Sequence, residues 1–221
     1  MTDWVQRWKE NKTGWHKETI NARLLEFVDC LALQKEDTVF VPLCGKSKDM
    51  VYFLEQGYKV LGVELSALAI EAFFGENNIQ YAVQKVGKFS VYEGQNIRIF
   101  CGNYFDLEVR HLEAVCAVYD RACLVALPAD LRVRYVQHLY AIISKDCRML
   151  LLTLNYPQSQ TSGPPYAVNE TEVASLFKAG FKYEQLQCFD DIQNEPKYQQ
   201  AQVDFFEKAT YCLRKITRKT T

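Results

Sequence analysis

Two short stretches carry residue types that could do chemistry. Val39-Phe40-Val41-Pro42-Leu43-Cys44-Gly45-Lys46-Ser47-Lys48-Asp49 runs from an apolar segment into a glycine bend. Val60-Leu61-Gly62-Val63-Glu64-Leu65-Ser66 ends a second apolar segment on an acid. Glu64 lies 19 residues after Gly45, close to the spacing at which the acid of a nucleotide-binding βαβ unit reaches a ribose diol. A carboxylate only accepts hydrogen bonds, which suits two hydroxyl donors. The pair points to an adenosine-bearing cofactor. A plain strand-helix turn with an exposed glutamate fits the same residues as well.

Three motifs compete at Gly45. Gly45-Lys46-Ser47 looks like the end of a P-loop, but the glycine that motif needs five residues earlier is Phe40, so the P-loop is rejected. A dinucleotide fingerprint needs G-x-G-x-x-G for close approach of a pyrophosphate, and positions 43 and 48 are Leu and Lys. S-adenosylmethionine carries no phosphate, and its methionine end tolerates a turn with one glycine. It is the best fit of the three.

Other candidates are weaker. Val118-Tyr119-Asp120-Arg121-Ala122 puts two charges at the end of an apolar run, either as a local ion pair or as catalytic groups at a strand tip. Gly163-Pro164-Pro165-Tyr166 resembles the Asp/Asn-Pro-Pro-aromatic loop of amino-directed methyltransferases but begins with Gly; it reads as a rigid loop shaping a pocket wall. The eight cysteines form no C-x-x-C pair, which argues against zinc and a disulfide framework and for buried reduced thiols in a cytoplasmic protein. The three histidines (His16, His111, His138) are far apart, and no metal site is expected.

The elements that must position these residues alternate. An amphipathic helix is expected over 18–33, with Ile20, Leu24, Phe27, Val28 and Leu31 on one face. Strand 38–42, helix 46–56 and strand 59–64 follow. Ser66 is placed to cap a helix running to 78, and 81–92 reads as a hairpin insertion. Strands are expected at 97–102, 114–119 and 148–154. A helix over 128–144 begins at a proline. Asn169 and Glu172 resemble the capping box of a helix ending near Gly180, and strands 181–189 and 205–213 close the chain. Strand-helix alternation implies a parallel sheet covered on both faces. The last two strands lack a crossover helix and pair antiparallel. The fold class is α/β: a Rossmann-like class I methyltransferase layout, mainly parallel and seven-stranded, with a C-terminal antiparallel strand.

The chain has 221 residues, 48% of them hydrophobic, and a net charge of -1, which describes one full-core domain over 1–221. The cluster Arg214-Lys215 to Arg218-Lys219 reads as a solvated tail; nucleic-acid binding needs a broad basic face. No apolar run is long enough to span a bilayer, and Met1-Thr2-Asp3-Trp4 does not resemble a secretory signal.

Pro42-Leu43-Cys44-Gly45-Lys46-Ser47-Lys48-Asp49-Met50, Gly62-Val63-Glu64-Leu65-Ser66, Tyr119-Asp120-Arg121-Ala122-Cys123-Leu124-Val125-Ala126-Leu127, Gly163-Pro164-Pro165-Tyr166 and the start, Trp4 to Arg7-Trp8 with Gly14-Trp15-His16, resemble the thiopurine S-methyltransferase family, in its bacterial form. The resemblance implies S-adenosylmethionine as cofactor, held by Trp8, Leu43, Glu64, Asn103, Tyr104 and Arg121. It implies that Trp15, where Phe is usual, lines the substrate side. Trp4 reads as core, and His16 as structural. The implied reaction is direct in-line methyl transfer to the sulfur of small aromatic or heterocyclic thiols, with no residue named as general base. The partner is thus a small thiol, the chain a monomer, and 1–33 a lid over a core of 34–221. Selenium or tellurium acceptors and a non-catalytic cofactor sensor are the alternatives. A methyltransferase acting on macromolecules is disfavoured by the near-neutral charge.

Overall fold

The computed structural model describes residues 2–216. The chain divides into two compact units between Tyr119 and Asp120.

In the first unit, α1 (Trp4–Lys9) is capped by Asp3, whose carboxylate accepts from the Gln6 amide. The helix expected over 18–33 is shorter: α2 (Ala22–Phe27) followed by a 3-10 turn, Val28–Leu31. Asn21 starts it as N-cap, and Ala32 ends it in the left-handed region (φ 51°). Then come β1 (Thr38–Pro42), α3 (Lys48–Glu55), β2 (Lys59–Glu64) and α4 (Ala67–Glu76). After them lie β3 (Tyr81–Val86), β4 (Phe89–Gly94), β5 (Ile97–Cys101) and β6 (Val115–Arg121), whose last two residues open the second unit.

The strand order is β3-β4-β5-β2-β1-β6. β5, β2, β1 and β6 are parallel, while β4 runs antiparallel to β5 and β3 antiparallel to β4. β1 has β2 on one side and β6 on the other, so the strand order reverses there, at the position where open α/β sheets bind ligands. Val39, Phe40 and Val41 are buried in succession, because a parallel strand covered on both faces has no solvent side. Met50 and Phe53 of α3 and Ile70, Phe73 and Phe74 of α4 supply the cover. Asp49 is buried among them. It accepts from the Asn21 amide (2.8 Å) and the Tyr119 hydroxyl (2.9 Å), which ties the start of α2 to α3 and β6.

In the second unit, α5 (Ala129–Ile142), β7 (Arg148–Asn155), α6 (Glu170–Phe177), β8 (Phe181–Asp190), α7 (Pro196–Gln200) and β9 (Glu207–Lys215) follow in order. β9 lies between β7 and β8 and is antiparallel to both. Tyr156, Tyr198, Val203 and Phe206 form a small separate core. The capping box expected at α6 is half made. Asn169 accepts from the Glu172 amide, but the Glu172 carboxylate turns to Arg132 Nη1 at 2.5 Å.

The described residues hold nine strands; the hairpin β3-β4 adds two to the seven of the expected layout. Two side-chain expectations change. Only Cys44, Cys123 and Cys147 are buried, while Cys116 and Cys188 are exposed, since alternate strand residues face outward. Arg214 and Lys215 are not part of a free tail: Arg214 pairs with Asp146, and Lys215 donates to the Ile143 carbonyl. Arg218 and Lys219 lie outside the described residues.

Candidate cofactor site

At the carboxyl end of β1 the chain turns through Leu43 (φ 45°) and Gly45 (φ 52°) before Ser47 caps α3. Two consecutive tight bends leave the Gly45 amide pointing back toward β2, where it donates to Glu64 Oε2 at 2.9 Å. The Ser66 amide donates to Oε1, also at 2.9 Å. Glu64 is only 7% exposed, which removes the plain turn with an exposed glutamate. Burial raises its pKa, opposed by the amides of Ser66, Gly45 and Leu65. An ionised carboxylate has roughly four lone-pair sites. The Gly45 and Ser66 amides take one site on each oxygen, and the acceptor capacity left suits the hydroxyl donors of a ribose. The residues present therefore fit an adenosine cofactor.

Gly45 answers two demands. Its positive φ disfavours any side chain, and a Cβ there would stand 3.1 Å from Trp8 Cζ2. The Trp8 indole thus closes over the bend. Gly62, inside β2, leaves room for the Cys44 thiol, which a Cβ would meet at 2.9 Å. Burial first, then the charge of Glu64, pushes that thiol's pKa well up. The lysines of the P-loop lookalike are committed elsewhere: Lys46 pairs with Glu76 (2.6 Å) and Lys48 donates to Asn77 (2.8 Å), both at the end of α4. These contacts brace the 45–48 bend against α4.

Beyond β5, the Gly102 amide donates to the Glu64 carbonyl at 2.9 Å, which brings the 103–104 turn beside the acid. The Asn103 side chain accepts from the Phe105 amide, an Asx turn that fixes the bend. Tyr104 is buried, edge-on to Phe105. Trp15 is half-buried and meets both Trp4 (5.1 Å) and Trp8 (5.7 Å) edge to face. Trp4, expected in the core, is also half-buried; it packs on Trp15 and Arg7. The His16 side chain is 8% exposed and contacts Glu18 at 3.1 Å. Burial first, then Lys46, lowers its pKa, which keeps the ring neutral near pH 7.

In the second unit, Arg121 is the last residue of β6 and half-buried. Its neighbour Asp120 is fully buried. It accepts from the Tyr135 hydroxyl (2.6 Å) and the Leu124 amide (3.3 Å), and burial raises its pKa. The strand tip thus directs Asp120 inward to hold the following turn. The Gly163–Tyr166 loop, with both proline bonds cis, is pinned to that turn: the Tyr166 amide donates to the Val125 carbonyl at 2.6 Å. Tyr156 donates to the Pro165 carbonyl at 2.6 Å. Arg132 lies under Tyr166, 5.8 Å from its ring, and donates to the Leu127 carbonyl at 2.9 Å.

Leu43, Glu64, Asn103 and Tyr104 are therefore gathered around the ends of β1, β2 and β5, with Trp8 on the bend and Trp15 against Trp8. Arg7, Asp49 and Arg132 were missed. Each looks like an ordinary helix charge in sequence; for Arg7, its i+3 spacing from Trp4 was the available signal.

A profile of the thiopurine S-methyltransferase family matches residues 1–216. The chain is 42% identical over 212 residues to the thiopurine S-methyltransferase of Nitrosospira multiformis, covering 95% of this chain and 96% of the relative. It is 39% identical over 215 residues to that of Pseudomonas syringae pv. tomato, covering 97% and 98%. Among solved structures, a 1,6-didemethyltoxoflavin-N1-methyltransferase of Burkholderia thailandensis, determined with S-adenosylhomocysteine, shares the fold at TM-score 0.62 and 20% identity, covering 97% of this chain and 86% of that one. A TehB-like methyltransferase of Corynebacterium glutamicum does so at TM-score 0.54 and 15% identity, covering 94% and 95%.

Proposed function

Because the chain belongs to the thiopurine S-methyltransferase family, and is an S-adenosylmethionine-dependent S-methyltransferase by that membership, we propose that its acceptors are small aromatic or heterocyclic thiols, thiopurines among them. Trp8, Leu43, Glu64, Asn103, Tyr104 and Arg121 hold the methyl donor, and Trp15 lines the acceptor side. The observation that carries this reading is the buried Glu64 carboxylate, locked to the Gly45 bend with acceptor capacity to spare. S-adenosylmethionine, when bound, supplies an electrophilic methyl group on a positively charged sulfur.

The chain's own residues bind, orient and exclude water. The Trp8 and Trp15 rings offer faces that attract a cation by roughly 0.5–2 kcal/mol. Arg121 offers a fork of donors for a carboxylate. Aromatic thiols ionise readily, so acceptor orientation in a dry site suffices and no residue is assigned as base. Segment 1–33 acts as a lid. Its footing is the Asn21–Asp49 hydrogen bond, and Trp8 already rests on Gly45. We further propose a monomer acting in the cytoplasm, a setting that suits eight cysteines outside any disulfide. No helix among the described residues is long and apolar enough to cross a membrane.

Transfer of radiolabelled methyl to a panel of aryl thiols and their selenium analogues tests the reading. Turnover on the thiols supports it. Tight binding of S-adenosylhomocysteine without turnover on any acceptor would point to a sensor instead.

A further inference from the structure

All three tryptophans of the chain, Trp4, Trp8 and Trp15, meet in one cluster, and a cation sits inside it. Arg7 follows Trp4 by three residues on α1, so the two share a helix face. Its guanidinium carbon lies 5.7 Å from the Trp4 ring and 5.2 Å from the Trp15 ring. The Arg7 Nε is buried and donates to no acceptor among the described residues. Glu10, at the C-terminal end of the same helix, is bonded to Lys12 and Gln6, and the Arg7 charge is the least of the influences on its carboxyl. A guanidinium normally keeps every donor on water or on an acceptor. Aromatic walls hold this one in place while its Nε is left without an acceptor.

We propose that Arg7 is an anion-recognising residue of the methyl-transfer site, its guanidinium donating to a negatively charged group of a bound ligand. The inference rests on the reading that Trp8 and Trp15 line that site. Rings on two sides fix the plane of the fork, and a planar fork is the geometry that matches a carboxylate. Two ligands could bring the charge: the amino-acid carboxylate of the methyl donor, or an anionic group on the acceptor. Arg7 would then discriminate charged from neutral ligands without taking part in methyl transfer.

Two matched probe pairs separate the sources, each measured with wild-type protein, Arg7→Gln and Arg7→Lys. S-adenosylhomocysteine and 5′-methylthioadenosine differ by the amino-acid end. 4-Mercaptobenzoate and 4-methylbenzenethiol differ by a carboxylate. Arg7→Gln is expected to erase at least about tenfold of the preference for the charged member of one pair, with the neutral member within about twofold. Arg7→Lys should recover part of the loss. The pair affected identifies the source. Constants for all four ligands within about twofold of wild type would overturn the proposal. So would equal weakening of charged and neutral members, which is what a mere prop for the tryptophans would produce. Wild-type protein that neither binds S-adenosylhomocysteine nor methylates either thiol would overturn the functional reading itself, and this inference with it; that failure is visible before any variant is measured.

Discussion

The amide of Gly45 donates to Oε2 of Glu64 at 2.9 Å, closing a span of 19 residues. The glycine bend and the acid are therefore one unit. The bend aims the carboxylate, and the carboxylate satisfies an amide that the turn would otherwise leave buried and unpaired. A disturbance at either residue should be felt at the other.

Gly45→Ala tests that coupling. It places a side chain at φ 52°, with Cβ 3.1 Å from Trp8. The left-handed conformation alone costs about 1–2 kcal/mol for a residue with Cβ. We expect that loss in urea unfolding, together with weaker binding of S-adenosylhomocysteine. Gly75→Ala, inside α4 with open space around it, should instead gain roughly 0.5–1 kcal/mol.

Asp49→Ala should be more damaging than its position in a first helical turn suggests. It removes the acceptor of the Tyr119 hydroxyl and of the Asn21 amide, and the loss of a hydrogen bond to a charged group costs about 1.5–3 kcal/mol. Tyr119→Phe removes one partner and should cost about 1 kcal/mol. Urea unfolding of the two single variants and the double variant should show them to be non-additive, because both act on one hydrogen bond.

The pH dependence follows from burial of Glu64. Its pKa stands above the ordinary 4.5, so the folded protein binds this proton more readily than the unfolded chain does. The same holds for Asp120, raised above 3.8. These two acids therefore favour the folded state below the ordinary carboxylate range, and that contribution is lost as pH rises through their raised values. Ligand binding runs the other way, since a protonated Glu64 has lost acceptor capacity. We expect affinity for S-adenosylhomocysteine to fall on acidification with a midpoint above 4.5, and the fall to flatten in Glu64→Gln. Calorimetry across the acid range reads both.

Arg132→Lys, conservative in charge, should be costly in stability. Arg132 is 4% exposed, and it joins the Leu127 carbonyl, Glu172 and the Tyr166 ring. A lysine cannot reach all three. A loss of about 2 kcal/mol lowers the melting temperature of a chain this size by roughly 4–8 °C, and calorimetric melting checks it.

The parallel core was legible where strands are continuous apolar runs: β1 and β2 begin and end where the sequence predicts. Short elements were not. α1, α7 and the 3-10 turns contain too few residues for a periodicity to register, and the helix expected over 18–33 ran long because its apolar stripe, Ile20 to Leu31, runs across both the Asn21 cap and the 3-10 turn that replaces the last helical turn. At the site, the spacing of Gly45 and Glu64 was readable, but the burial of Glu64 was not, because it depends on amides supplied by both turns. Asp49 and Arg132 stayed hidden for a related reason: their partners lie 70 and 40 residues away, and a single chain read in order carries no mark of that distance.

The most direct measurement is calorimetric titration of wild-type protein, Glu64→Ala and the surface control Glu36→Ala with S-adenosylhomocysteine. A hydrogen-bonded charged group is worth about 1.5–3 kcal/mol, so Glu64→Ala should bind at least about tenfold more weakly while Glu36→Ala matches wild type. Equal affinity in all three would contradict the assignment of Glu64 to the cofactor's ribose.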